Sequence, residues 1–235
     1  MENFKNEVSS KELFHFTKSI DNLKSIIDQG FAVKYSVEDL VLSEGEEYKR
    51  WAFPMICFCD IPLNLIQYHI QIYGGFGIGI NRQAANVAMK LNPVIYIDES
   101  ELKVYLNKIK NYLKSTDGLI VLETEINNLK KYLKKYKGDY DRIGCELIKD
   151  YIYYNEREWR YTPPIELTGK SYILENEFGS IGERNETLHK FNAYIYVEIT
   201  DIEYLIVKTE KEKAEMDVFM KTKDKDFDSK KIIIL

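Results

Sequence analysis

Short runs in which apolar and polar residues alternate dominate the first hundred positions of this chain. Alternation over Glu12–Thr17 predicts a strand with Phe14 and Phe16 on one side and His15 and Thr17 on the other. A helix is predicted next, with Ser19 as its N-cap, Ile20, Leu23, Ile26 and Ile27 on its apolar face, and Gly30 as its stop. Residues 34–50 are polar and irregular and end in the charged run Glu44 to Arg50, which reads as an exposed loop or lid. The apolar run Phe53–Leu63, punctuated by Pro54 and Pro62, predicts a strand. Leu65, Ile66, His69 and Ile70 predict a short helix that breaks at Tyr73-Gly74-Gly75. Phe76–Asn81 is again a strand, with Phe76, Ile78 and Ile80 on one face. Gly77 and Gly79 leave the other face bare, so that backbone or a ligand can approach closely. A helix over Gln83–Lys90 and a strand over Val94–Ile97 follow.

The pattern changes at Glu99. Leu102, Tyr105, Leu106, Ile109 and Leu113 recur at helical spacing, as do Leu122, Ile126, Leu129, Leu133 and Tyr136, with Ser115-Thr116-Asp117-Gly118 as the break. This predicts an antiparallel helical hairpin inserted over residues 99–139. Strand patterns resume at Tyr151 and recur at 171–174, 191–199 and 203–208. A charged tail, Lys208 to Lys231, precedes the final Ile232–Leu235. The fold class expected is α+β, with a mainly antiparallel sheet and flanking helices, in one domain over residues 1–235.

Composition bounds the function. Of 235 residues 45% are hydrophobic, enough for a core. The formal charge of -5 argues against a general nucleic-acid coat but leaves room for a local basic groove. Lys130, Lys131, Lys134, Lys135 and Lys137 are the best candidates for one; a solvated helix face explains them as well. No window approaches the roughly 18 apolar residues of a membrane span, and the first residues do not resemble a signal peptide. Three cysteines, Cys57, Cys59 and Cys145, are an odd and sparse set that suits a reducing compartment. A soluble cytoplasmic protein is expected. Cys57 and Cys59 share one strand face, but neither Cys-x-x-Cys nor His-x-x-x-His spacing is present, so no metal is expected.

Chemistry concentrates in Tyr153–Tyr161. In an extended register Glu156, Glu158 and Arg160 share one face and Arg157, Trp159 and Tyr161 the other. Two carboxylates roughly 7 Å apart are costly to hold unless a cation joins them. The arrangement suits general-base work or the stabilisation of a developing positive charge; a solvated edge strand explains it equally well. His15 is open between a structural and a functional role, and Asp60, at the end of an apolar strand, between a pocket group and a cap.

His15-Phe16-Thr17, Cys57-Phe58-Cys59-Asp60-Ile61-Pro62, Tyr73-Gly74-Gly75-Phe76-Gly77-Ile78-Gly79 and Glu156-Arg157-Glu158-Trp159-Arg160, in that order, resemble the AbiGi family of abortive-infection proteins over roughly residues 11–165. That family is similar to the DarT- and PARP-like branches of the ADP-ribosyltransferase fold. The resemblance implies a split, mainly antiparallel sheet and NAD as substrate, with ADP-ribose passed to a macromolecule. Nucleic acid is favoured over protein as acceptor, and a cognate antitoxin is a further partner. It implies Glu158 as the carboxylate that stabilises an oxocarbenium-like ribose and Glu156 as the group that orients or deprotonates the acceptor. His15, Phe16, Thr17 and Asp60 would line the NAD pocket, Tyr68 or Tyr73 would stack on nicotinamide, and Gly77 would let the dinucleotide lie on its strand. Arg160 would contact the pyrophosphate or pair with Glu156. Members are also described as antitoxins, so a non-catalytic binding protein, or simple NAD hydrolysis, is the alternative.

Overall fold

The computed structural model describes residues 10–40, 50–98, 101–115, 125, 128–141 and 146–235. It is a mixed α+β structure with mainly antiparallel strand pairing. Packing divides the chain into two compact units. One comprises Met1–Ala32, Cys57–Leu91 and Tyr194–Leu235; the other comprises Val33–Ile56 and Asn92–Ala193.

In the first unit Glu12–Thr17 pairs antiparallel with Phe76–Asn81 along its whole length, from Glu12 opposite Asn81 to Thr17 opposite Phe76. Phe76–Asn81 pairs antiparallel with Ile202–Val207, which in turn runs parallel to Ile232–Ile234. The helix Ile20–Gln29 forms as its sequence dictates. The Ser19 hydroxyl accepts the Asn22 N–H, and Gly30 ends the helix at φ 88°, where a side chain would be strained. Arg82–Met89 is capped in the same manner by Asn81, which accepts from the N–H groups of Gln83 and Ala84.

The glycine strand carries a correction. Phe16 sits opposite Gly77 and Phe14 opposite Gly79. A Cβ on Gly77 would lie 2.9 Å from the Phe16 ring and one on Gly79 2.7 Å from the Phe14 ring. The bare face is therefore filled by aromatic rings, in a core of Phe14, Cys59, Ile61, Ile66 and Ile206 joined by Phe16 and Tyr204. Hydrogen is the side chain that fits beneath those rings.

In the second unit Lys34–Asp39 pairs antiparallel with the Arg50–Met55 part of the Arg50–Cys59 strand, whose residues Trp51 and Ala52 also pair with Ile173–Leu174. Glu158–Tyr161 pairs with Asn92–Pro93, Ile95–Ile97 runs parallel to Leu133–Lys135, and Lys137–Tyr140 pairs with Ile148–Ile152.

Three expectations change. Residues 34–39, read as irregular, form a paired strand; most of the charged run that follows, residues 44–49, lies outside the described residues. The first arm of the hairpin is present as the helix Glu101–Lys114, but Leu133–Lys135 and Lys137–Tyr140 are strands where a second helix was expected. Residues 116–124 and 126–127, which include the expected break and Leu122 and Ile126, lie outside the described residues. The charged tail is largely the helix Glu210–Lys223, capped by Thr209 and anchored by buried Met216 and Met220.

Candidate functional site

The acids singled out in the sequence do meet, though by a different route from an extended strand. Tyr153–Glu156 is a 3-10 turn and Arg157 stands in the left-handed region at φ 44°, so the strand begins only at Glu158. The turn brings both carboxylates to one cation supplied by Leu133–Lys135. Lys134 Nζ donates to Glu156 Oε2 at 2.5 Å and to Glu158 Oε2 at 2.7 Å. Arg160 grips the other side of Glu158, donating from Nε to Oε1 at 2.8 Å and from one terminal nitrogen to Oε2 at 3.0 Å. That same nitrogen donates to Glu38 Oε1 at 2.7 Å, and the other terminal nitrogen donates to the Lys131 carbonyl at 2.7 Å. Arg160 thus pairs with Glu158 and Glu38 where pairing with Glu156 was one expectation.

The cluster is buried. Glu38, Lys134, Glu156, Glu158 and Arg160 are each 6% exposed or less. Three carboxylates face two cations, and charge-assisted hydrogen bonds connect all five side chains. Burial alone would lower the pKa of Lys134; the charges of Glu156, Glu158 and Glu38 reverse this and hold it well above the usual lysine value. Two tyrosines complete the surroundings. Tyr96 accepts the backbone N–H of Glu158 at 2.9 Å, and its hydroxyl is pushed up in pKa chiefly by burial. Tyr151 bonds to Glu156 and is pushed up by burial first and by the Glu156 charge second. Neither phenol is a proton donor of neutral-pH strength.

The remaining predicted residues belong to the first unit and divide between two faces of its sheet. His15 donates from Nδ1 to the Cys57 carbonyl at 2.8 Å and packs its ring edge-on to Phe31, on the face away from Phe14 and Phe16. Thr17 shares that face by alternation, and its carbonyl abuts Gly74, where an added Cβ would lie 2.2 Å away. Phe16 and Gly77 are on the opposite face. His15, Phe16, Thr17 and Gly77 therefore do not converge on one pocket. Asp60 accepts the Ser10 N–H at 2.7 Å and lies 3.6 Å from Arg82, a tie between chain segments close to the cap reading. Tyr73 stacks on His69, which lies against Phe16, whereas Tyr68 is 65% exposed.

The five lysines do not all lie at the surface. Lys130 and Lys134 are buried, the former with Nζ 3.7 Å from the centre of the Trp51 ring. Lys135 pairs with Asp39 and Lys137 with Asp150. The Cys59 thiol donates to the Phe14 carbonyl at 3.4 Å; Cys145 lies outside the described residues. Among the described residues no group of three His, Cys, Asp or Glu side chains could hold a metal ion, and no helix is long and apolar enough to cross a membrane.

Sequence reading did not find Glu38, Lys134, Tyr96 or Tyr151 as members of this cluster. Glu38 is 122 residues from Arg160, and local periodicity carries no trace of such a pairing.

The order of motifs that suggested a family is borne out by comparison. Residues 29–208 match the family described as "Putative abortive phage resistance protein AbiGi, antitoxin", and the chain belongs to that family. It is similar to the abortive phage resistance protein AbiGi of Lactococcus lactis subsp. cremoris, at 26% identity over 214 residues, covering 81% of this chain and 86% of the relative. No solved structure matches the chain.

Proposed function

We propose that the chain acts in abortive phage resistance as a protein-binding component of the antitoxin kind. In this reading Glu156 and Glu158 are counterions that hold its second unit together, and they do not act on a substrate. The observation that carries the reading is the state of Glu158. Both of its oxygens are engaged by Arg160 and Lys134, and its side chain is buried. A carboxylate contributes to catalysis through interactions that strengthen in the transition state. Here the strong interactions are already made, within the protein. The filled face at Gly77 and Gly79 supports the same view, as does the word antitoxin in the family's description.

A second reading has one observation in its favour. Glu156 and Glu158 converge on a single positive charge, the arrangement that an oxocarbenium-like ribose would require, which supports an NAD-dependent ADP-ribosyltransferase or NAD glycohydrolase on the transferase-like fold. Expression in a bacterial host separates the two. The binding reading expects the wild-type chain to be harmless alone and to relieve growth arrest caused by the product of a flanking gene. Growth arrest by the chain alone, relieved by Glu158→Gln, would overturn it.

A further inference from the structure

The Glu101–Lys114 helix turns much of its apolar surface outward. Leu106 faces inward, against Leu40, Ile97 and Leu133, but the other inward positions include buried Lys110 and half-buried Lys103. Leu102, Tyr105, Ile109 and Tyr112 point out, at 44, 56, 46 and 67% exposure. They are spaced three, four and three residues apart and form one stripe about 15 Å long. Singly exposed apolar residues are ordinary on a protein surface. A stripe of four large ones, two of them tyrosines, on a helix that buries a lysine instead, is the pattern of a docking face.

We propose that this stripe lies lengthwise in an apolar groove, rimmed by acidic residues, on a different protein: the partner that the binding reading requires, on which this inference rests. The anchor spacing is that of a helix laid into a groove. Lys108 is an exposed cation of this helix, on a chain whose formal charge is -5. Lys108 flanks the stripe, with Nζ 5.4 Å from the centre of the Tyr105 ring. Complementarity therefore asks for negative charge at the groove's edge. A second copy of this chain is the poorer occupant. It would bring Lys108 up against the Lys108 of the other copy, with no acid from this helix's stripe to receive it.

The test uses the full chain and, as probe, the flanking gene product whose growth arrest the wild type relieves. Binding is measured by calorimetry for wild type, Tyr105→Ser/Tyr112→Ser, Lys108→Glu and, as control, Val218→Ser, an exposed residue of the other unit. The double variant should bind about 100-fold more weakly or worse and lose neutralisation. Lys108→Glu should weaken binding more at low salt than at high, and Val218→Ser should match the wild type. Overlaid melting curves exclude misfolding, and if the double variant fails to fold, Lys108→Glu decides alone. Wild-type affinity in the double variant, or in Lys108→Glu at low salt, overturns the docking face and leaves the binding reading standing. A wild-type dimer that the double variant dissolves, with probe binding intact, overturns it in favour of a second copy. If the wild type neutralises no flanking gene product and consumes NAD, the binding reading falls and the docking face with it.

Discussion

Replacing Lys134 by methionine should be among the most damaging single changes open to this chain. Methionine keeps most of the side chain's length and removes its charge. Two hydrogen bonds disappear, those to Glu156 at 2.5 Å and Glu158 at 2.7 Å, and three buried carboxylates are left facing one guanidinium. Lys134 is 2% exposed, so water does not take over the ammonium's role. Removing one partner of a buried ion pair costs about 3–5 kcal/mol. In a chain of this size each kcal/mol lowers the melting temperature by about 2–4 °C, giving a fall of about 6–20 °C. Circular dichroism melts at neutral pH measure it. A stranded buried carboxylate loses its charge by binding a proton, so the deficit should shrink as the pH is lowered. Lys137→Met, which breaks the exposed pair with Asp150, is the control and should melt close to the wild type. A Lys134→Met melting temperature equal to that of the wild type would refute the structural role given to the acids.

Lys134 also sets an alkaline limit. Its folded pKa lies above the ordinary 10.5, so its contribution is complete below 10.5 and is lost as the pH rises from there through the folded value. The wild type should therefore lose stability steeply in strong alkali, and Lys134→Met should lack this component when pH-dependent melts are compared. Gly74→Ala should cost more than about 2 kcal/mol, because Gly74 has φ 114° and its Cβ would lie 2.2 Å from the Thr17 carbonyl oxygen. A wild-type denaturation midpoint in that variant would show that the turn relaxes freely. Gly79→Ala should cost about 1–3 kcal/mol by pressing on the buried Phe14 ring, measured by the same denaturation curve.

Local signals carried much of the fold. Ser19 and Gly30 bracket the Ile20–Gln29 helix because an N-cap and a positive-φ stop act within one turn, and alternation alone identifies Glu12–Thr17 and Phe76–Asn81. The hairpin failed where contacts are long-range. Leu133 and Tyr136 fit a helical period, but Leu133–Lys135 is fixed by parallel pairing to Ile95–Ile97, which no local pattern announces. The Glu210–Lys223 helix had a readable signature in Thr209 and Glu212, whose side chain accepts the Lys208 N–H at 3.0 Å while Thr209 accepts its own N–H. Its charged surface, with few apolar anchors, hid it. At the candidate site the need for a cation beside Glu156 and Glu158 was legible from charge alone. Its source was not, because Lys134 lay among five lysines that all looked like surface.

Release of nicotinamide from NAD separates a structural Glu158 from a catalytic one. Purified wild type and Glu158→Gln would be incubated with NAD and released nicotinamide measured, with melting curves recorded on the same samples. No release above buffer is expected for either protein, and Glu158→Gln should melt at a lower temperature, because a glutamine amide sets a donor against Lys134 or Arg160. Nicotinamide release by the wild type, abolished in a Glu158→Gln protein that melts like the wild type, would contradict the structural role and make Glu158 a catalytic residue.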